Sequence, residues 1–378
     1  MPQLFTGAAV FDGTTLTEGA SLRVEDGRVT GPESRPVSGP VPGDEVRLGG
    51  GILAPGFLDL QVNGAGGRMV DGSCTADVLA EMCATHARLG ATGILPTLIT
   101  DTAEATANVI AAGIAAAQRQ VPGFLGLHLE GPHLDPRRKG AHDPSLIRPM
   151  TEADLTRLLD AAGRLPSLMV TLAPESVAPD QIARLAAAGV IVSLGHSDCS
   201  HAQAAAAIAA GACCVTHLFN AMSQLGNRDP GLVGAALTQP VHAGLIADGI
   251  HVAPETIRIA MAASDRLFLV SDAMAAAGST LTEFTLNNRR ILRRDGRLTL
   301  EDGTLAGADL TLPRAVGVMI GLGTRPEVAL SMATSRPAAC LGRGDQLGHL
   351  TPGRVADMVH LAEDGTLQGV WRAGQRIL

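Results

Sequence analysis

Four residues able to bind a metal ion or move a proton stand at the ends of short apolar segments. The segments read FLGLHLE, VIVSLGH, CCVTH and LFLVSD, and they end at Glu130, His196, His217 and Asp272. A glutamate and two histidines can supply three ligands to a Zn²⁺-type ion and leave a fourth position open for water. A nearby aspartate can then accept and return the proton of that water. This set predicts a metal-dependent hydrolase that uses a metal-activated water, with Asp272 as its general base and acid.

The middle of the chain alternates apolar, strand-like segments with Ala/Leu/Arg-rich stretches typical of helices. Strands are expected at 52–62, 92–99, 124–130, 167–173, 190–196, 213–219, 243–248 and 267–272. Eight strands with intervening helices indicate an α/β protein with a (β/α)₈ barrel of the TIM type rather than an open sheet. Because the carboxyl ends of barrel strands meet on one face, the four residues are expected to lie together there.

The two ends of the chain differ from this middle part. Residues 1–51 and 345–378 contain short alternating segments joined by Gly and Asp turns, which are typical of strands and hairpins. We expect them to form one small β-sandwich domain built from both termini, and residues 52–344 to form the barrel. Near 283–307 the barrel pattern is interrupted by a stretch with Asp-Gly turns, which predicts inserted β-hairpins able to cover the active-site mouth.

The composition excludes several classes of protein. The net charge is −8, only 2% of residues are aromatic and there is no basic block, so no nucleic-acid partner is expected. No apolar run reaches the roughly 18 residues of a spanning helix, and the N-terminus lacks the pattern of a signal peptide. The six cysteines show no CxxC pair and are interpreted as reduced thiols. These features predict a cytoplasmic protein that acts on a small molecule without a membrane partner.

Each of the four residues also has a structural explanation. The two histidines could be buried structural residues, Glu130 could pair with an arginine, and Asp272 could cap the Ala-rich segment that follows it. A carboxylate at the end of an apolar strand is costly to bury without a cation, which favours the metal site. His128 shares a strand face with Glu130, and we interpret it as a core or supporting residue rather than a ligand.

Seven motifs, in order over nearly the whole barrel, carry a resemblance to a known family. They are LAPGFLDLQVNGAGG (53–67), HLEGPHLDPRRKGAH (128–142), LGHSDCS (194–200), THLFNAMSQLGNRDPGLVGAAL (216–237), ADGIHVAP (247–254), LVSDAMAAAG (269–278) and GTLAGADLTL (303–312). The chain resembles the amidohydrolase superfamily and, within it, the N-acetylglucosamine-6-phosphate deacetylases. That family joins a metal-dependent barrel to a β-sandwich made from both termini, in agreement with the expectations above.

The resemblance implies hydrolysis of N-acetylglucosamine 6-phosphate to glucosamine 6-phosphate and acetate. It implies metal ligation by Glu130, His196 and His217, and acid/base catalysis by Asp272. The substrate-binding residues that it implies are Ala141, His142, Asn220, Ala221, Arg228, His251, Leu305, Ala306 and Gly307. Among these, His142 would polarise the acetyl carbonyl, and Arg228 and His251 would help to hold the phosphate and hydroxyls. The structural alternatives are a surface-loop histidine, a solvated turn arginine and a helix-capping histidine, respectively. A homodimer that completes the substrate pocket is also expected.

The first strand departs from the wider superfamily, in which it usually ends in His-x-His and binds a second metal. Here the sequence reads Gln61-Val62-Asn63. Neutral amides are poor ligands for zinc-like ions. We therefore expect one divalent ion per subunit, with Zn²⁺ as the first choice and Fe²⁺ or other divalent ions as alternatives.

Two other functions remain open from the sequence. One is an amidohydrolase that acts on a different N-acetyl sugar phosphate or on a cyclic amide. Cyclic-amide hydrolases generally bridge two metals with a carboxylated lysine, and the only lysine here, Lys139, lies in a loop. The other is a non-catalytic scaffold protein. The intact set of metal-binding and proton-transferring residues argues against it.

Overall fold

The computed structural model describes residues 2–33, 44–286 and 289–378. Its internal contacts divide the chain into two compact units. One unit consists of Leu60–Thr85 and Ile94–Leu310, and the other of Met1–Asp59, His86–Gly93 and Thr311–Leu378. In this division residues 311–344, which the sequence analysis assigns to the barrel, are grouped with the terminal segments.

An eight-stranded parallel sheet forms the barrel, and each strand pairs with the next one in chain order. The strands are Phe57–Val62, Ala91–Ile99, Leu127–Glu130, Leu168–Leu172, Ile191–Leu194, Cys214–Val215, His242–Leu245 and Leu267–Leu269. The barrel closes where the amide of Asp272 donates to the carbonyl of Gln61 and the amide of Asn63 donates to the carbonyl of Ala273. The predicted (β/α)₈ barrel is confirmed.

Helices separate the strands and continue after the last of them. They are Ala76–Arg88, Ala103–Gln118, Glu152–Ala162, Pro179–Ala187, His201–Ala209, Gly231–Thr238, Pro254–Ala263, Leu312–Gly321, Pro326–Ala333 and Ser335–Cys340, with a 3₁₀ turn at Pro136–Arg138. The side chains of Thr102, Thr151 and Ser200 cap three helix starts by accepting a backbone N–H. Within the described ranges, no helix combines the length and the apolar character needed to cross a bilayer.

The chain termini form two sheets. The four-stranded sheet runs in the order Arg28–Glu33, Ser21–Glu25, Gln3–Thr6 and Asp44–Arg47. The six-stranded sheet runs in the order Gln375–Arg376, Leu367–Arg372, Met358–Leu361, Ile52–Pro55, Ala9–Phe11 and Leu16–Thr17. Their apolar faces share one core, in which Phe5 and Leu22 of the first sheet join Leu53, Met358 and Trp371 of the second. The predicted sandwich of both termini is therefore present.

A further antiparallel sheet follows the eighth barrel strand, in the stretch where the sequence predicts hairpins. Its strands are Glu283–Leu286, Arg289–Arg294, Arg297–Leu300 and Leu305–Ala308. We call it the added sheet. Its side chains Leu286, Ile291, Leu298 and Ala306 form an apolar cluster with Met274, which lies just after Asp272 in the chain. This cluster holds the added sheet next to the carboxyl end of the eighth strand. A short ribbon of two strands, Gly64–Ala65 and Arg68–Met69, follows the first barrel strand.

The sandwich core generates a stability prediction. Phe5 packs edge-on against Trp371, the only tryptophan of the chain, with ring centroids 5.4 Å apart. We expect Phe5→Ala to lower the free energy of unfolding of this unit by about 3–5 kcal/mol, because it opens a cavity in a closed core. Tryptophan fluorescence during denaturant titration measures the change. The matched control is Ile259→Ala, at a side chain that is 58% exposed, which should stay within about 0.5 kcal/mol of the unchanged protein. Equal midpoints for the two variants would contradict the prediction.

Candidate active site

The four residues predicted to carry the chemistry meet at the carboxyl ends of the barrel strands. Glu130 is the last residue of the third strand, and the other three follow the ends of the fifth, sixth and eighth strands within three residues. His196, His217 and Asp272 have left-handed backbones, with φ of 45°, 28° and 49°. Such conformations cost of the order of 1–3 kcal/mol for residues other than glycine and cluster at functional sites. The sharp turns direct the three side chains into a common space.

Three ligand atoms form a nearly equilateral triangle. Oε1 of Glu130 lies 3.1 Å from Nε2 of His196 and 3.0 Å from Nε2 of His217, and the two nitrogens are 3.1 Å apart. Ligands about 2.0–2.1 Å from a tetrahedral Zn²⁺ stand about 3.3–3.4 Å from each other. All three side chains are buried. The residues therefore fit a single small divalent cation.

The hydrogen bonds and the ionised Glu130 carboxylate of the triangle suit the binding of a cation. Nδ1 of His196 donates to the carbonyl of Arg138 at 2.8 Å, which orients the ring so that its Nε2 faces the triangle. Burial alone would raise the pKa of the Glu130 carboxyl, but hydrogen bonds from His196 and His217 hold that pKa well below its usual range. Burial alone would lower the pKa of His217, but its contact with Glu130 raises it. A cation would replace the proton of this imidazole, because a ligating histidine is neutral.

His142 also stands close to these ligands, and Glu130, His142 and His196 can each offer one ligand atom within 4.8 Å of the others. Its hydrogen bonds argue against ligation. Nδ1 of His142 accepts the backbone N–H of Thr100 at 3.2 Å and lies 2.7 Å from the Thr100 hydroxyl. Burial holds the pKa of His142 well below its usual value, so the ring is neutral and its proton is on Nε2. Nε2 of His142 is thus a hydrogen-bond donor, and the third corner of the triangle is Nε2 of His217.

Two amides on the first strand hold the buried carboxylates. Nε2 of Gln61 donates to both oxygens of Glu130 at 3.2 Å, and Nδ2 of Asn63 donates to Oδ1 of Asp272 at 2.6 Å. Both amides therefore turn their N–H groups toward the carboxylates. Burial, and then the charge of Glu130, raise the pKa of Asp272 to about 6. A cation bound at Glu130 would offset the second of these causes.

A cavity of about 400 Å³ opens above these residues, within the range of small-molecule sites. Glu130, His196, His217 and Asp272 all line it. Of the nine residues implied to bind substrate, seven line the same cavity: Ala141, His142, Asn220, Ala221, His251, Leu305 and Gly307. The seven come from four separate segments of the chain, which only the folded barrel brings together.

The other two implied substrate residues lie elsewhere. Ala306 is buried in the apolar cluster of the added sheet, because successive residues of a strand point to opposite faces and its neighbours Leu305 and Gly307 take the cavity side. Arg228 is exposed on the turn before the helix Gly231–Thr238 and does not line the cavity of this chain. The substrate roles of both residues stay predictions.

His251 is held by a buried carboxylate. Its Nδ1 lies 2.6 Å from Oδ2 of Asp248. Oδ1 of Asp248 accepts the backbone N–H groups of Ile250 and His251, each at 2.8 Å. With Nδ1 occupied in this way, His251 has Nε2 left to contact a ligand in the cavity.

Below the metal ligands, a chain of buried polar side chains crosses the barrel interior. His128 lies 3.4 Å from the hydroxyl of Thr97 and 2.7 Å from that of Thr171. Thr171 and Ser193 both lie 2.6 Å from the hydroxyl of Thr216, the residue before His217. Burial lowers the pKa of His128 to about 4, so its ring is neutral. His128 is thus a supporting residue beneath the ligands, as we interpret it from the sequence.

Arg137 and Arg138 also line the cavity, and neither has a role predicted from the sequence. Their position in the loop between Glu130 and His142 was the available signal. Ile99, Met274 and Leu286 form an apolar part of the cavity wall, and the sequence predicted no site role for them.

Comparisons with known proteins agree with this geometry. The model of the amidohydrolase family matches residues 52–377. The chain is 40% identical to the N-acetylgalactosamine-6-phosphate deacetylase of Shewanella sp. (strain ANA-3), over 98% of this chain and 94% of the relative. It is 35% identical to the N-acetylglucosamine-6-phosphate deacetylase of Vibrio furnissii, over 99% of this chain and 94% of the relative. The crystal structure of N-acetylglucosamine-6-phosphate deacetylase from Pasteurella multocida superposes with a TM-score of 0.95 at 32% identity, and the match covers 100% of this chain and 99% of that one.

These matches span the barrel and both termini, and they agree with the resemblance that the sequence motifs carry. The relatives are named for two hexosamine configurations, so the sugar is a separate question from the family. The chain belongs to the amidohydrolase family, within the group formed by these amino-sugar-phosphate deacetylases.

Proposed function

We propose that this enzyme removes the acetyl group of an N-acetylhexosamine 6-phosphate by hydrolysis, with N-acetylglucosamine 6-phosphate as the first candidate substrate. The products are acetate and the hexosamine 6-phosphate. The observation that carries the proposal is the convergence of the Glu130, His196 and His217 triangle with Asp272 in one cavity. We further propose that it acts in the cytoplasm as a homodimer.

The metal ligands are oriented by the protein itself. Glu130, His196 and His217 would hold a divalent cation, which when bound would act as a Lewis acid toward the acetyl carbonyl and lower the pKa of water. Gln61 fixes the carboxylate plane of Glu130 through two hydrogen bonds. Because Gln61 and Asn63 offer N–H groups to carboxylates, the first strand supports one cation site rather than two. We propose Zn²⁺ as the resident ion, with Fe²⁺ as the alternative.

Asp272 and His142 supply the proton transfer and the charge stabilisation. Asn63 holds Oδ1 of Asp272, so Oδ2 is left to accept the proton of the attacking water and to return it to the leaving amine. The Nε2–H of His142 donates to the acetyl oxygen as negative charge develops on it. The donor role of His142 is supported by the contacts that occupy its Nδ1.

Contacts to the sugar phosphate come from several loops. His251, fixed by Asp248, presents its Nε2 to the cavity, and Leu305 and Gly307 border the sugar. We propose that the exposed Arg228 reaches the phosphate in the cavity of a neighbouring subunit, in the homodimer that the resemblance implies. Such a contact would explain why Arg228 does not line the cavity of its own chain.

The galactose-configured substrate is the second candidate. It is favoured by the relative from Shewanella, which is named for that substrate and shares 40% identity with this chain. Acetate release from the two phosphorylated sugars, compared by kcat/KM, decides between them. The metal-dependent reaction is the same for both.

The phosphate should matter for catalysis. Its removal from the substrate takes away a charge-assisted contact worth roughly 1.5–3 kcal/mol, or about 10–150-fold in kcat/KM. We expect Arg228→Ala to remove most of this preference and Arg258→Ala, at another exposed arginine, to leave it intact. Acetate-release kinetics on phosphorylated and unphosphorylated N-acetylglucosamine are the measurement. Equal efficiency on both sugars would rule out the phosphate-specific proposal.

The role of Asp272 is tested by Asp272→Asn. The variant should keep its fold and metal content while kcat falls about 10²–10⁴-fold, because the amide cannot accept the proton. Asp265→Asn, a matched change at an exposed aspartate, should leave kcat unchanged. Metal content is measured beside the rate. Near-normal turnover of Asp272→Asn would mean that another group, such as His142, carries the proton.

Metal stoichiometry tests the ligand assignment. We expect one tightly bound divalent ion per chain, and Glu130→Gln should lose it, because an amide is a poor ligand for such an ion. Elemental analysis of protein purified without added metal, followed by titration, measures both. Two tight equivalents per chain, with activity that requires both, would show that the interpretation of Gln61 and Asn63 is wrong.

A further inference from the structure

Five charged side chains join three loops at the rim of the cavity. The set, which we call the rim cluster, consists of Asp135, Arg137, Arg138, Glu175 and Asp198. Nε and Nη2 of Arg138 each lie 2.7 Å from Oδ1 of Asp198, and Nη1 of Arg137 lies 3.1 Å from Oδ2. Arg137 also meets Asp135 at 2.6 Å and Glu175 at 3.5 Å. The loops after the third, fourth and fifth barrel strands are thereby tied together.

Residues of the rim cluster hydrogen-bond to His196, a proposed metal ligand. The amide of Asp135 donates to the carbonyl of His196 at 2.9 Å, and Nδ1 of His196 donates to the carbonyl of Arg138 at 2.8 Å. Next to His196, the hydroxyl of Ser197 donates to Glu175 at 2.8 Å. Asp135 and Arg138 of the rim cluster therefore hold the backbone and the ring of His196, respectively.

A glycine keeps this loop close to the ligand. Gly140 has a φ of +53°, and a Cβ there would lie 3.2 Å from Cε1 of His196. A larger residue would press on the imidazole ring. The loop that carries Arg138 is thus packed directly against the His196 ring.

Two arginines at the rim of a cavity proposed to take a sugar phosphate suggest phosphate binding as the alternative role. Their partners argue against it. Asp198 meets both guanidinium groups, and Arg137 is shared among three carboxylates. Three acidic and two basic side chains leave the cluster without net positive charge, whether or not Glu175 is ionised. A phosphate would have to displace carboxylates that are already in contact.

We propose that Asp198, through Arg137 and Arg138, positions His196 for metal binding and so sets the affinity of the metal site. This inference rests on the proposed metal site. The physical reason is that a ligand held in its binding orientation loses less conformational freedom when the ion binds. Partners that orient a metal-binding histidine contribute typically 10–100-fold to metal affinity.

The test uses Asp198→Asn in the full-length protein, which removes the charge and keeps the size. Affinity for Zn²⁺ is measured by competition with a chromophoric chelator, and we expect a loss of about 10–100-fold. At saturating Zn²⁺ the ratio of kcat/KM for phosphorylated and unphosphorylated substrate should match that of the unchanged enzyme. Asp265→Asn is the matched control and should bind Zn²⁺ normally. Denaturant titration of each variant separates lost positioning from lost folding.

Arg138→Gln provides the second arm, because it breaks the ion pair with Asp198 and keeps the backbone carbonyl that accepts from His196. We expect it to weaken Zn²⁺ binding as Asp198→Asn does, and the double variant to be no worse than either single one. Unchanged Zn²⁺ affinity in both variants would overturn the inference. So would an Arg138→Gln enzyme that binds Zn²⁺ normally but loses its preference for the phosphorylated substrate. Absence of Zn²⁺ binding by the unchanged protein would instead contradict the proposed function.

Discussion

The site depends on one buried carboxylate that is held between two imidazoles. An isolated charge at the position of Glu130 would be strongly unfavourable, since it is buried at the end of an apolar strand. His196, His217 and Gln61 all direct hydrogen-bonding groups at it, and the contacts with the two histidines hold the pKa of Glu130 well below its usual range. The same arrangement is what a divalent cation needs: one anionic and two neutral ligands at the spacing of a tetrahedral face.

The barrel supplies this spacing through the way its strands end. The last residues of the parallel strands lie on one rim of the barrel. If the chain continued straight beyond each strand, the side chains that follow would not meet. The left-handed residues His196, His217 and Asp272 turn the chain at once, at a local cost that the surrounding packing must offset. Gly195, directly before His196, allows close packing instead, because a Cβ there would lie 2.9 Å from the methyl group of Thr171. The polar chain from Thr97 to Ser193 then supports these turns from inside the barrel.

The substrate side of the cavity is assembled from parts that are distant in the chain. The loop after the third strand contributes Ala141 and His142, and the added sheet contributes Leu305 and Gly307. Arg289 of the added sheet donates to the carbonyl of Ala141, so these two parts also contact each other. Changes in the added sheet can therefore alter the cavity wall without touching Glu130, His196 or His217.

The sequence alone predicted the barrel, the terminal sandwich and the meeting of Glu130, His196, His217 and Asp272. That was possible because strand and helix periodicities are local signals, and because strand ends in a closed parallel barrel converge whatever their separation in the chain. The neutral amides of Gln61 and Asn63 predicted from the sequence that these residues act through hydrogen bonds rather than as metal ligands. Three further features depend on distances between residues that are far apart in the sequence. They are the direction in which the Gln61 and Asn63 amides face, the location of the His142 proton, and the pairing of Arg137 and Arg138 with Asp198. Those distances follow from side-chain packing in three dimensions, so only the tertiary structure decided them.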